Sequence, residues 1–204
     1  MDRDIPARQD TDRMLRELCL MDDGFFSVSF SGDRENTELM LRIILGRDDL
    51  TVTSVGTQED IRNMPGKRSV RLDIAARDRE GNLYDIGIQR SRDKAERKRA
   101  RYYSAMMDAG SLMEGMGYDR LPESYVIFID EHDALGMGKA LYEVERMDKD
   151  ACEPYGDGSH IVHVSASLAD EDTELGRLMH DLRCTDPGKM YYTTTSAKVM
   201  YTSD

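Results

Sequence analysis

Two neighbouring segments of the chain, within residues 69–89, place acidic and amide side chains where they can bind a metal ion. Asp73 lies in the first alternating segment, and Asp85 and Gln89 lie in the second, after a short turn. Because side chains alternate between the two faces of a strand, Asp85, Gly87 and Gln89 share one face. Carboxylate oxygens bind divalent cations such as Mg²⁺, and such an ion activates water for phosphodiester hydrolysis. The two segments therefore predict a β-hairpin that holds a metal or a phosphate group.

A strongly basic segment follows the hairpin directly. Residues 90–101 contain seven Lys or Arg side chains and two acids, a local charge of +5. They begin a long helix predicted over 92–113, whose second half is apolar and rich in Met. Lys and Arg contact the phosphates of nucleic acids without reading the base sequence. The candidate DNA-binding residues are Arg90, Lys94, Arg97, Lys98 and Arg101.

The chain as a whole is acidic, which leaves another interpretation open. Its 204 residues have a net charge of -12, and residues 119–204 alone have a local charge of -10. The basic helix could therefore simply pair with the acidic half, in a structural or interaction domain. The three cysteines are far apart and the four histidines lack zinc-protease spacing. We expect free thiols and structural or surface histidines.

The length and the order of elements predict one domain over residues 1–204, with a helical lead-in over 1–24 and an irregular tail over 185–204. A loop is predicted over 21–33 and a helix over 34–45. Three strands, a helix, further strands and a last helix follow. This order predicts an α/β fold with a mixed β-sheet flanked by helices on both faces. No run of about 18 apolar residues is present and the amino terminus is polar, so we expect a cytoplasmic protein without a membrane span.

Six segments, taken in order along the chain, resemble one known family. They are ENTELMLRIILGRDDLTVTSVGTQ (35–58), RSVRLDIAARDREGNLYDIGIQR (68–90), KRARYYSAMMDAG (98–110), LPESYVIFIDEHD (121–133), DGSHIVHVSAS (157–167) and ELGRLMHDLRC (174–184). Together they resemble the PD-(D/E)XK nuclease family transposases, relatives of the recombination-promoting nucleases of bacteria. The resemblance implies a restriction-endonuclease-like core and a DNA endonuclease of recombination or transposition. It also implies Mg²⁺ or Mn²⁺ as cofactor and DNA as partner, and reactions on two strands favour a homodimer.

The resemblance also implies a role for individual residues. It places the metal-binding Asp of the family at Asp73 and a further metal-binding acid on the preceding helix at Glu38, with Glu35 as the alternative one turn earlier. Gln89 stands where the wider superfamily has Lys, and would orient water or phosphate.

The chain departs from the family at Gly87, where the family has a second metal-binding acid. Loss of one such interaction commonly slows a reaction by a factor of ~100–1000. Asp85, two residues earlier on the same face, brings a carboxylate part of the way. Two hypotheses follow: an endonuclease, active or impaired, and a catalytically inactive domain that binds nucleic acid or a partner protein and keeps the nuclease fold.

Overall fold

The computed structural model describes residues 19–61, 65–90 and 96–192. Within these residues four α-helices accompany eight strands. The helices are α1 (Asp23–Ser29), α2 (Arg34–Leu45), α3 (Glu96–Ser111) and α4 (Glu174–Arg183). The strands are β1 (Val52–Ile61), β2 (Val70–Asp78), β3 (Leu83–Gln89), β4 (Ser124–Asp130), β5 (Leu141–Val144), β6 (Met147–Asp148), β7 (Glu153–Pro154) and β8 (Ser159–Ser165).

Six of the strands form one mixed sheet in the order β1-β2-β3-β4-β8-β5. The first three strands are antiparallel to one another, β3, β4 and β8 are parallel, and β5 is antiparallel to β8. The short strands β6 and β7 pair separately. Strand β3 is therefore central, and six of its seven residues are buried. Such burial on both faces is usual where parallel strands meet and helices cover the sheet.

Helices cover both faces of the sheet, as predicted. The larger core lies under α1, α2 and α4, whose side chains Phe26, Ile44 and Met179 are fully or almost fully buried there. The smaller core lies under α3, where Met107 packs with Phe128 of β4. The predicted mixed sheet flanked by helices is thus confirmed.

Several predicted boundaries are corrected by the structure. The segment 21–33 is not a loop throughout, because α1 forms within it. Phe26 and Phe30, four residues apart, share one side of this helix and have ring centroids 4.9 Å apart. Such a pair supplies the apolar contact that a seven-residue helix needs. The alternating pattern predicts a strand from Leu50 to Val55, but β1 continues to Ile61, and the short β6–β7 hairpin is an addition.

Other predictions fall outside the described residues. These are the amino-terminal helix up to residue 18, the start of the basic helix at 92–95 and the tail beyond residue 192. Among the helices that the structure describes, none is both long enough and apolar enough to cross a membrane.

A buried carboxylate closes the turn of the β2–β3 hairpin. Asp78 accepts hydrogen bonds from the Tyr84 hydroxyl at 2.7 Å and from the backbone N–H groups of Glu80 and Asn82 at 2.9 Å each. Burial alone would raise the pKa of Asp78, but these hydrogen bonds outweigh it and hold the pKa below its ordinary value. The turn therefore fixes the register in which the two strands present their side chains.

We expect Asp78→Ala to lower the free energy of unfolding by about 2–4 kcal/mol, because the buried Tyr84 hydroxyl and two backbone N–H groups lose their acceptor. Urea unfolding at neutral pH measures the change, and Tyr84→Phe, which removes one donor only, should cost about 1 kcal/mol. The folded-state pKa of Asp78 is depressed, so its stabilisation is present above the unfolded value near ~3.9 and is lost as the pH falls through the folded value. Equal urea concentrations at the unfolding midpoint for wild type and Asp78→Ala at neutral pH would contradict this account.

Candidate active site

Asp73, Asp85 and Gln89 lie on one face of the sheet, the face that α3 covers. The register pairs Ala75 with Asp85, which places Asp73 opposite Gly87 on the neighbouring strand. A Cβ atom added to Gly87 would lie 3.1 Å from Oδ2 of Asp73. The carboxylate of Asp73 therefore extends over the glycine, into the space that an acid at position 87 would enter.

Asp85 is a buried carboxylate that the described residues leave poorly satisfied. Its residue is 1% exposed, and neither oxygen accepts a hydrogen bond of ordinary geometry from the described residues. Burial raises the pKa of Asp85 well above its usual value, and the negative charge of Asp73 raises it further. The positive charge of Arg99 and the backbone N–H of Asp73 oppose the shift. Such a group is costly in the folded protein unless a cation or a proton neutralises it.

Arg99 adds a fourth group to this face, although it is absent from the predicted site residues. Its Nη1 donates a hydrogen bond to Oε1 of Gln89, and its Nη2 lies 3.3 Å from the Tyr103 hydroxyl. The guanidinium carbon is 5.1 Å from the ring centroids of both Tyr103 and Phe128. The spacing of Arg99, Tyr103 and the buried Met107 is helical, and this was the signal in the sequence that Arg99 faces the sheet.

Strand β1 is distorted beside Asp73. The β1–β2 register runs from Thr57–Ile74 to Glu59–Leu72, so that Gln58 stands opposite Asp73. Gln58 has φ +53°, which is uncommon for a residue other than glycine. Ile74 packs in the larger core and Leu72 in the smaller one, so β2 turns from one core to the other at Asp73.

Glu38 lies apart from these groups. Its Oε2 accepts a hydrogen bond from the Val52 N–H at 2.9 Å, and its Oε1 lies 2.7 Å from Nη2 of Arg42. Val52 pairs with Asp78, five residues along β2 from Asp73, a separation of about 16 Å. Glu38 thus joins α2 to the start of β1. The alternative acid, Glu35, is exposed in the first turn of α2.

The predicted DNA-binding residues fall into three groups. Arg90 forms ion pairs with Asp22 and with Glu131, the latter at 3.3 Å. Lys94 lies outside the described residues. The other three are exposed on α3, and no ion pair joins them to a described residue of the acidic half. They are Arg97, Lys98 and Arg101.

The donor set on this face fits a magnesium-like ion. No three Asp, Glu, His or Cys side chains converge on one point among the described residues. Mg²⁺, however, is commonly bound through one or two carboxylates and completes its shell with water and substrate phosphate. The neighbouring carboxylates of Asp73 and Asp85, one of them buried without a donor, have this chemistry.

Asp85→Asn should stabilise the metal-free protein by about 1–3 kcal/mol at neutral pH, because it removes a buried, unpaired carboxylate. The folded-state pKa of Asp85 is raised, so the wild type loses stability as the pH rises from the unfolded value towards the folded value. The difference in the free energy of unfolding between the variant and the wild type should therefore shrink towards pH ~4. Urea unfolding in EDTA at several pH values measures it, with the exposed Asp60→Asn as control. A variant less stable than wild type at neutral pH would contradict the assignment.

Comparison with known proteins agrees with this geometry. A family model described as PD-(D/E)XK nuclease family transposase matches residues 21–165. The match extends from the residues just before α1 to the end of β8 and includes Asp73, Asp85 and Gln89. No curated protein and no solved structure matches the chain significantly. The sixth segment, 174–184, lies beyond the match. The match nevertheless covers well over half of the chain and confirms the resemblance over the segments within it, and the protein therefore belongs to the PD-(D/E)XK nuclease family transposases.

Proposed function

We propose that the protein is a divalent-metal-dependent DNA endonuclease that hydrolyses phosphodiester bonds in bacterial recombination or transposition. The family supports a nuclease-like function and DNA as the substrate. The observation that carries the proposal is the pair of carboxylates at Asp73 and Asp85, on the same sheet face as Gln89 and Arg99. A buried carboxylate with no donor beside a second carboxylate is a costly arrangement, and such arrangements concentrate at functional sites.

In this proposal Asp73 and Asp85 hold Mg²⁺ or Mn²⁺. The ion, when bound, supplies an activated water and neutralises charge on the phosphate. Asp85 takes the part of the acid missing at position 87, from two residues earlier on the same strand face. Glu38 keeps its contacts with Val52 and Arg42 and acts on the site only through the packing of α2.

Gln89 and Arg99 would act on the substrate rather than on the ion. The Gln89 amide, at the end of β3, would orient water or a phosphate oxygen. The Arg99 guanidinium is a planar cation of the kind that stabilises negative charge on phosphate in the transition state. The exposed side chains of Arg97, Lys98 and Arg101 would contact the DNA backbone without reading its sequence.

A second candidate function is favoured by one observation. Position 87 is glycine, so the family's second strand acid is missing. A protein of this kind could keep the fold and the basic helix, bind DNA and cut it slowly or not at all. The two candidates differ in whether Asp85 replaces the missing acid.

The test is a plasmid-nicking assay in Mg²⁺ or Mn²⁺. We expect the wild type to nick DNA, and Asp73→Ala and Asp85→Asn each to lower the rate by about 100-fold or more, because each removes a metal ligand. Asp60→Asn, an exposed carboxylate variant on β1, is the matched control and should keep the wild-type rate.

Gly87→Glu separates the two candidates. The new Cβ would lie 3.1 Å from Asp73 and 3.6 Å from the Phe128 ring, a tight fit that a small shift of the Asp73 carboxylate relieves. If only Gly87→Glu nicks DNA, the protein is a decayed nuclease and Asp85 does not replace the missing acid. If no variant nicks but all retard DNA at low salt, the binding function replaces the proposed one.

The basic surface makes a separate prediction. Replacing Arg97, Lys98 and Arg101 together by Ala should weaken DNA binding and reduce the slope of log K against log salt by up to about 3, since each phosphate contact contributes about 0.9. Fluorescence anisotropy with a labelled duplex over a range of salt concentrations measures both quantities. The control replaces Arg120 and Lys149, exposed cations outside α3. An unchanged slope in the α3 variant would show that these three side chains do not contact DNA.

A further inference from the structure

A buried acid–base pair lies on the same sheet face as the candidate active site. Nδ1 of His163 on β8 is 3.0 Å from Oδ2 of Asp130 on β4, and the two residues are 1% and 3% exposed. The other oxygen of Asp130, Oδ1, has no hydrogen-bond partner among the described residues. The side chains of a parallel-sheet core are normally apolar, so a buried ionisable pair here calls for a role.

Sheet register places this pair next to Gln89. Asp130 is the partner of Gln89 across the β3–β4 ladder, and Phe128 is the partner of Gly87. On the next ladder Phe128 is the partner of His163, and their rings are 5.7 Å apart. Asp130 is therefore one strand and His163 two strands away from the glutamine of the candidate site, and both share its face.

Arg99 contacts both residues that neighbour this pair in the sheet register: it donates a hydrogen bond to Gln89, the ladder partner of Asp130, and packs over Phe128, the ladder partner of His163. Burial raises the pKa of Asp130, while the hydrogen bond and charge of His163 and the charge of Arg99 oppose the rise. The same Arg99 opposes the raised pKa of Asp85. One guanidinium thus interacts with both buried acids, and Gln89 accepts its hydrogen bond.

We propose that Asp130 and His163 form a positioning pair that keeps Arg99 on Gln89 and away from Asp85. The negative charge of Asp130 attracts the guanidinium towards the β4 side, and the imidazole N–H of His163 fixes the orientation of the Asp130 carboxylate. Without that charge, Arg99 would pair with Asp85, whose pKa it already lowers, and Asp85 would be neutralised by a side chain instead of a metal ion. The catalytic meaning of this arrangement rests on the proposed function; the arrangement of Arg99 does not.

The experiment measures Arg99 directly, in the metal-free full chain. The guanidinium N–H signals of Arg99 are identified by ¹⁵N NMR as those that Arg99→Lys removes. In Asp130→Asn, which keeps the shape but removes the charge, we expect their exchange with solvent to accelerate by about tenfold or more, as loss of an interaction with a charged group predicts. Asp60→Asn is the matched control: it deprives the exposed Arg71 of its carboxylate, 3.1 Å away, and should leave Arg99 unchanged.

Two variants of His163 test the same proposal independently, in case Asp130→Asn does not fold. His163→Phe leaves the buried Asp130 without its donor, so that Asp130 takes up a proton and Arg99 exchanges faster, as in Asp130→Asn. His163→Asn places an amide N–H where Nδ1 stood and should restore slow exchange. Slow exchange of Arg99 in Asp130→Asn and in His163→Phe would overturn the proposal, and so would faster exchange in Asp60→Asn of equal size.

Nicking assays on the same variants separate this inference from the proposed function. If the wild type nicks DNA, Asp130→Asn should lower kcat with little change in KM, because Arg99 is misplaced while the basic surface of α3 is intact. If the wild type does not nick DNA but the N–H exchange of Arg99 accelerates in Asp130→Asn, the endonuclease function is wrong and the positioning pair is supported. If the wild type nicks DNA and the N–H exchange of Arg99 is unchanged in Asp130→Asn, the positioning pair is wrong and the endonuclease function is supported.

Discussion

The cost of holding two neighbouring carboxylates on one face, one of them buried, is the constraint on which this sheet face depends. Burial in the central strand raises the pKa of Asp85, the charge of Asp73 raises it further, and the described residues give its carboxylate no hydrogen bond of ordinary geometry. A protein selected for stability alone would place an apolar side chain at Asp85. The rest of the face is arranged around this cost, because Gly87 leaves room for the Asp73 carboxylate and Arg99 supplies a nearby positive charge.

The architecture brings opposite charges to this face from different parts of the fold. The acids of the site come from the antiparallel β2–β3 hairpin, whose register the Asp78 turn fixes. The cation comes from α3, and the second acid–base pair comes from the parallel strands β4 and β8. Phe128 lies among them, in contact with Arg99 on one side and with His163 on the other. The apolar ring of Phe128 thus packs against both a cation and a buried imidazole.

Local patterns in the sequence predict the strands and which side chains share a face, and so they place Asp73, Asp85 and Gln89 together. They do not predict contacts that depend on how distant elements meet. Asp130 ends an apolar strand, and its partner His163 is set by the parallel β4–β8 register, which no local periodicity contains. Arg99 is one of seven basic residues within positions 90–101, and only its helical spacing from Tyr103 distinguishes it. Glu38 matches the family pattern by position, but its contacts with Val52 and Arg42 depend on the packing of α2 against β1.

The topology of the sheet also sets an order in which its charges meet as the chain folds. The hairpin joins Asp73 and Asp85 across a short turn, a contact that is close in sequence and therefore fast to form. The β4–β8 ladder joins Ser124 to Ser159, about 35 residues apart, so Asp130 acquires its histidine only after a longer loop closes. The repelling acids can thus approach each other before their compensating groups are in place. We expect the barrier to folding to contain this repulsion, and the nascent hairpin to form more readily where its carboxylates are protonated or bind a cation.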